Sequence, residues 1–286
     1  MVGLHRLGAA RQIASGLIRD ITEQVILVTG ATDGLGKGVA AELASRGATV
    51  LLHGRSPERL QATAHELRES TGSDRLRTYR ADFASLAEVR AMATEIAANE
   101  SRLDALLNNA GIGFLPERQE SADGNEFVFQ VDYLAGYLLT RELLPLLRSS
   151  APSRIVMVAS AGQMPIDFDD PQLLHGYDAR RAYCQAKLAQ ITQTFEMAGR
   201  LDGGVTITAL HPSTFMPTKI LGPGMDPHST VQEGIDATVR LLADPQLDGV
   251  SGVYFNVQQE ARADGQAYDP DAQARLRELS ERLVAA

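Results

Sequence analysis

Short β-branched runs alternate with longer stretches of helical period from Gln24 onward, and this alternation constrains the fold more than any other feature of the chain. The strand-like runs are Val25 to Thr29, Thr49 to His53, Leu76 to Ala81, Leu103 to Leu107, Ile155 to Ala159, Val205 to Leu210 and Val253 to Val257. Helical patterns lie between them, near 35–46, 58–70, 85–99, 124–148, 179–200 and 230–243. Strand followed by helix, repeated along the chain, implies right-handed crossovers and a parallel sheet covered on both faces. The expected class is α/β, a single doubly wound parallel sheet of about seven strands with helices on both faces.

At 286 residues, 44% of them hydrophobic, the chain can bury such a core as one domain, drawn here from about 22 to 260. A helical extension over 261–286 follows it. Residues 1–21 carry Arg6, Arg11 and Arg19 but no acid until Asp20, with Ile13, Leu17, Ile18 and Ile21 at helical spacing. This reads as an extra helix lying on the domain, with a transit peptide or membrane-surface helix as the alternatives.

Charge and cysteine usage remove several function classes. The 27 basic residues stand against 36 acidic ones, a net −9, which opposes nucleic acid as a partner because tracking phosphates needs clustered Lys and Arg. Cys184 is the only cysteine, so neither an intrachain disulfide nor a multi-cysteine metal site is available, and a reducing, cytoplasmic location fits. No apolar run approaches the ~20 residues of a membrane span. The histidines at 5, 53, 65, 175, 211 and 228 lack metal-ligand spacing, so no metal is expected. Cys184 is read as a small buried hydrophobe, and His175 and His211 as polar loop residues.

The first strand runs into Gly30-Ala31-Thr32-Asp33-Gly34-Leu35-Gly36 and then a helix. Gly30 permits a tight turn, Gly34 lets backbone approach a pyrophosphate, and Gly36 allows helix to pack closely on strand. The helix N-terminus offers free N–H groups and a positive dipole end. The Asp33 carboxylate would repel phosphate, so a capping role suits it better, although its main-chain N–H remains available to a cofactor.

Tyr183 and Lys187 stand at i and i+4 on a helical segment, on one face. Reducing a carbonyl needs a proton at oxygen, and a phenol with a pKa of about 10 is a sluggish donor or base at neutral pH. An ammonium beside it favours phenolate and lowers that pKa. Ser160, at the end of the fifth strand, can donate to the substrate oxygen, or be only a strand-end residue. The segments 161–180 and 213–230 are rich in Pro, Gly and Asp, and each follows a strand's carboxyl end, where ligands bind in such sheets. Their Met164, Phe168, Leu173, Leu174, Phe215, Met216, Ile220, Leu221 and Met225 either wall an apolar substrate pocket or pin long loops to the core.

The spacing TGxxxGxG, the element Asn108-Asn109-Ala110-Gly111 and the YxxxK of Tyr183 and Lys187 together resemble the short-chain dehydrogenase/reductase family, in its shorter one-domain branch. The long loop before Tyr183 is similar to that of the retinol-dehydrogenase-like group. This resemblance implies an oxidoreductase moving a hydride between a nicotinamide cofactor and an apolar or bulky carbonyl or alcohol. Ser160, Tyr183 and Lys187 would be catalytic. The family's fourth catalytic residue, an Asn, is replaced by Asp132, which keeps the acceptors but loses the NH₂ donors.

Implied cofactor contacts are Gly30, Thr32, Asp33, Gly34, Leu35 and Gly36 in the first turn, Asp82 and Phe83 after the third strand, Asn109, Ala110 and Gly111, Tyr183 and Lys187, and Pro212 and Thr214. Asp82 also reads as a helix cap. Where NAD-dependent relatives place an acid after the second strand, this chain has Gly54 and then Arg55, which implies NADP (NADPH) in preference to NAD, against the alternative of a solvated surface Arg. The family's Pro-Gly after strand six is Pro212-Ser213 here, and its Thr position holds Pro217, with Thr218 next. Two other functions stay open on the same fold, a non-catalytic NADP-binding sensor or scaffold and a lyase or epimerase using the cofactor transiently. Helices 124–148 and 179–200 resemble those that form dimer interfaces in the family, leaving homodimer and monomer both open.

Overall fold

A computed structural model describes residues 18–218, 220 and 226–285. The proposed N-terminal helix therefore falls almost wholly outside the described residues. The elements are β1 (Val25–Val28), α1 (Gly34–Ser45), β2 (Thr49–Gly54), α2 (Pro57–Thr71), β3 (Leu76–Arg80), α3 (Leu86–Asn99), β4 (Ala105–Asn108), α4 (Phe127–Phe129), a π-helical turn (Gln130–Leu134) and α5 (Ala135–Ser149). After these come β5 (Ser153–Val158), α6 (Ala179–Ala198), β6 (Val205–His211), α7 (Val231–Ala243), β7 (Val253–Asn256), β8 (Gln259–Glu260) and α8 (Pro270–Ala285).

The sheet order is β3-β2-β1-β4-β5-β6-β7-β8, parallel except for β8. Period-2 alternation divides each inner strand between two cores. Val25 and Leu27 of β1, Leu106 of β4, Ile155 and Met157 of β5 and Ile207 of β6 face the side covered by α3, α5 and α6. Ile26, Val28, Leu107, Val156 and Val158 face the side of α1 and α7. Both faces are buried, which is why these strands read as continuous apolar runs. The chain order reverses between β1 and β4, opening a crevice at their carboxyl ends.

Two details depart from the expected elements. An eighth strand turns back antiparallel on β7 through Val257, which takes a left-handed φ of 55°; its two exposed polar residues carry no strand pattern in the sequence. The single helix expected over 124–148 instead starts at Phe127, because the Glu126 carboxylate caps it by accepting from the N–H groups of Val128 and Phe129. It then widens into the π-helical turn, which carries Asp132. At the C-terminus α8 lies along α6, joined to it by an Arg277 to Glu196 ion pair of 2.9 Å and to the π-helical turn by a Tyr133 to Ser280 hydroxyl hydrogen bond of 2.7 Å. Among the described residues, no helix is long and apolar enough to cross a membrane.

His53 ties three strand ends together. Its Nδ1 accepts from the Gly30 N–H at 3.2 Å, while its Nε2 lies 3.1 Å from the Ala81 carbonyl and donates to it, and the ring stacks on Phe83 at 4.3 Å. Burial pushes the imidazole down from 6.5 to about 4, against the Ala81 hydrogen bond and the Asp82 charge. Protonating Nδ1 would break the bond to Gly30. The neutral ring's contribution is complete above pH 6.5 and disappears as pH falls toward 4, a loss of about 3 kcal/mol by linkage. Thermal unfolding of the parent chain should show this acid-side loss, and His53→Gln should flatten it; identical slopes in the two proteins would refute the assignment. At Gly36 a Cβ would run into the Gly30 carbonyl and the Asn109 amide, so Gly36→Ala should cost about 1–3 kcal/mol by denaturant unfolding.

Candidate functional site

The crevice at the carboxyl ends of β1 and β4 is held by Thr29, which the sequence reading did not single out. Its hydroxyl donates to the Leu107 carbonyl at 3.0 Å and accepts from the N–H groups of Asn109 and Ala110 at 2.8 and 2.9 Å. Asn109 answers by donating from Nδ2 to the Thr29 carbonyl at 2.7 Å. The two turns are so close that a Cβ on Gly30, where φ is +67°, would sit 2.9 Å from Ala110 Cα. The side chain of Asn109 thus joins the turns, and Ala110 and Gly111 form the floor between them. A hydroxyl at the end of β1, beside Gly30, was the available sequence signal for Thr29.

Asp33 is the N-cap of α1, its Oδ1 accepting from Gly34 N at 2.9 Å, and it pairs with Arg59 at 3.2 Å. That is the capping role expected of it. Gly34 leaves the start of α1 without a side chain, and the Thr218 methyl lies next to it, 3.3 Å from where a Cβ would be. Leu35 is buried between α1 and the sheet. This cradle, at the positive end of the α1 dipole, fits the pyrophosphate of a dinucleotide.

Beyond β2 the Arg55 side chain is exposed. Two further arginines gather there. Arg59 reaches the Thr32 carbonyl at 3.3 Å, and Arg80 donates to the Arg55 carbonyl at 3.2 Å. A Cβ on Gly54 would lie 2.7 Å from the Thr32 methyl, so a side chain at this position requires Thr32 to shift. Asp82 accepts from Ala84 N at 3.0 Å, while Ser85 caps α3, so the two share the turn that the sequence left between adenine contact and cap. Phe83 is buried under the His53 ring.

At the other end of the crevice α6 presents Tyr183 and Lys187 one turn apart. Lys187 Nζ donates to the Val158 carbonyl at 3.3 Å, pairs with Asp132 Oδ2 at 3.2 Å and lies 5.5 Å from the Tyr183 ring centre. Asp132, fully buried by the π-helical turn, also accepts from Ile112 N at 2.7 Å. Gly111 leaves the space for it, since a Cβ there would meet Oδ2 at 3.1 Å. Burial works against the Lys187 charge, but the Asp132 carboxylate prevails and holds the ammonium above its ordinary value.

The tyrosine differs from the expectation of a lowered pKa. Burial pushes the Tyr183 phenol up and the Asp132 carboxylate adds to this, against the opposing pull of Lys187 and the Ser160 hydroxyl. The main physical reason is burial of the phenol, and the carboxylate beside the ammonium offsets part of the lysine's opposing pull. Ser160 Oγ accepts from Gly162 N at 3.0 Å, and its carbonyl accepts from the Tyr254 hydroxyl at 3.0 Å. Cys184, next to Tyr183, is buried, and desolvation raises its thiol pKa.

The loops divide between the two readings. Leu173 is buried in the core, Phe168 faces Arg275 of α8, and Met216 packs over Gly234 of α7, so these three pin their loops. Leu174, Phe215 and Ile220 stay exposed, and Ile220 approaches Gly113. Leu221 and Met225 lie outside the described residues. Phe114, absent from the sequence reading because nothing in its loop is periodic, packs on the Tyr183 ring at 4.8 Å. After Pro212, Ser213 bonds Glu233, and the Thr214 hydroxyl meets His211 Nε2 at 2.9 Å, leaving Thr218 as the threonine over the phosphate turn. Burial lowers the His211 pKa. No metal-holding cluster of His, Cys, Asp and Glu occurs among the described residues.

Comparison with known proteins agrees with this geometry. The family model described as short chain dehydrogenase matches residues 24–224. Retinol dehydrogenase 13 of Mus musculus is 37% identical over 92% of this chain and 84% of its own length. Retinol dehydrogenase 14 of Homo sapiens is 36% identical, over 91% of this chain and 86% of its own. Among solved structures, a short chain dehydrogenase from Shigella flexneri complexed with NADP is similar at 27% identity, with a TM-score of 0.69 over 82% of this chain and 97% of that one. A glycine turn at a helix start, the paired asparagine turn behind it and a Tyr and Lys one helical turn apart recur in this family at these places, and the chain belongs to it: it is a short-chain dehydrogenase, an oxidoreductase of the retinol-dehydrogenase-like group.

Proposed function

We propose that the chain is an NADP-dependent oxidoreductase acting between a carbonyl and the matching primary or secondary alcohol of an apolar or bulky small molecule. The observation that carries this reading is the meeting of Tyr183, Lys187 and Ser160 at the same sheet edge as the Gly30 to Gly36 turn. A bound nicotinamide supplies the hydride for the carbonyl carbon, or accepts it from the alcohol carbon. Tyr183 gives the phenolic proton to the carbonyl oxygen in reduction and takes it back in oxidation. Ser160 donates a hydrogen bond to that oxygen, and Lys187 holds the ribose hydroxyls and bears on the phenol.

NADP is favoured by the arginines 55, 59 and 80, by glycine in place of an acid at position 54, and by the NADP and NADPH named for two structural relatives. The exposed Phe114 supplies apolar surface at the phenol, and Phe215 and Ile220 add exposed apolar surface on the loop after β6, consistent with relatives named retinol dehydrogenases. A fold that needs no disulfide is compatible with the cytoplasm. A homodimer built on α5 and α6 has only the surface that α8 leaves free.

A screen of NADPH consumption over aldehydes, ketones and polycyclic carbonyls tests the reading. Tyr183→Phe should lower turnover by roughly 10²-fold or more while NADPH binding persists. NADPH binding with no turnover across the panel would favour the sensor instead. Arg55→Ala should raise KM for NADPH by about tenfold, the equivalent of one lost charged contact, and leave NADH nearly unchanged. An equal effect on both cofactors would remove Arg55 from 2′-phosphate recognition.

A further inference from the structure

The ion pair of Asp132 and Lys187 is not needed to position the lysine, because the Val158 carbonyl already accepts from Nζ at 3.3 Å. The carboxylate is fully buried, anchored at one oxygen by the Ile112 N–H, and directed by the other at the ammonium that faces Tyr183. A charge next to its counter-charge acts on a third group as a dipole, whose field falls off faster than that of the lone charge.

We propose that Asp132 is a tuning residue that offsets the Lys187 charge felt by the Tyr183 phenol, keeping the phenol protonated and biasing the site toward carbonyl reduction over alcohol oxidation. This rests on the reading of Tyr183 as the proton carrier. A protonated phenol is ready to give its proton to a carbonyl oxygen, whereas oxidation needs the phenolate as base. Among the described residues, the other charged and titratable groups that bear on the trio are Cys184 on α6, the Ser160 hydroxyl beyond β5, and the Glu126 carboxyl capping α4, which acts on Asp132. Neither the thiol nor the second carboxyl supplies a positive charge to replace the one Asp132 offsets. With a neutral side chain at 132, the nearest anion available to Lys187 is the phenolate itself.

The test is the alkaline titration of Tyr183 in the full chain without ligands, read as the tyrosinate absorbance difference between each protein and its Tyr183→Phe counterpart. In the parent background the midpoint should lie no lower than that of free tyrosine, about 10. Asp132→Asn and Asp132→Ser should each bring it down by about one pH unit, the scale of one nearby charge. The base limb of alcohol oxidation should move with it. A parent midpoint near neutrality, or midpoints unmoved in the variants, would overturn the proposal, and two substitutions at 132 keep the comparison open if one of them fails to fold. Shifted midpoints without turnover in any protein would uphold the tuning and sink the oxidoreductase reading. Turnover with unmoved midpoints would do the reverse.

Discussion

The Thr29 hydroxyl holds the two turns on either side of the sheet's switch point at one fixed distance, and the crevice exists only because they are so held. It uses its full capacity, one donated and two accepted hydrogen bonds, on backbone groups where β1 and β4 end. Asn109 closes the same joint from the other side. With the turns locked, there is no space for side chains at Gly30 or Gly36, and backbone lines the crevice where a pyrophosphate would lie. His53 extends the joint to β2 and β3, so the phosphate turn is braced by all four strands around it.

The opposite end of the crevice is governed by charge. Lys187 and Asp132 are buried and Tyr183 partly so, in surroundings where interactions between charges are stronger than in water. A buried ammonium is costly without an anion, and in this chain the π-helical turn brings one to it. The same contact that makes the lysine affordable reduces what it can do for the phenol. Geometry alone would suggest an activated tyrosine; the full set of neighbours raises its pKa instead.

Much of this was legible in the residues. The glycine turn, the asparagine turn and the i, i+4 pair each depend on local backbone geometry, and local geometry leaves a spacing in the sequence. Asp33 was readable as a cap for the same reason. Phe114, Arg59 and Thr218 were harder to find, because their relevance comes from loops and a neighbouring helix folding over the turn. The apolar loop residues were ambiguous in the sequence: Leu173 and Met216 went inward while Phe215 and Ile220 stayed out, a choice made by packing against α6 and α7.

By itself, then, the sequence determined the layered α/β class, the phosphate-binding turn and the identities of the polar residues of the site, since hydrophobic period and turn chemistry are properties of neighbouring residues. Tertiary structure decided how those residues bear on one another. That Asp132 meets Lys187, that Gly54 lies against the Thr32 side chain, and that α8 covers α6 all depend on distances between segments far apart in the chain, and such distances are set by close packing of the whole core.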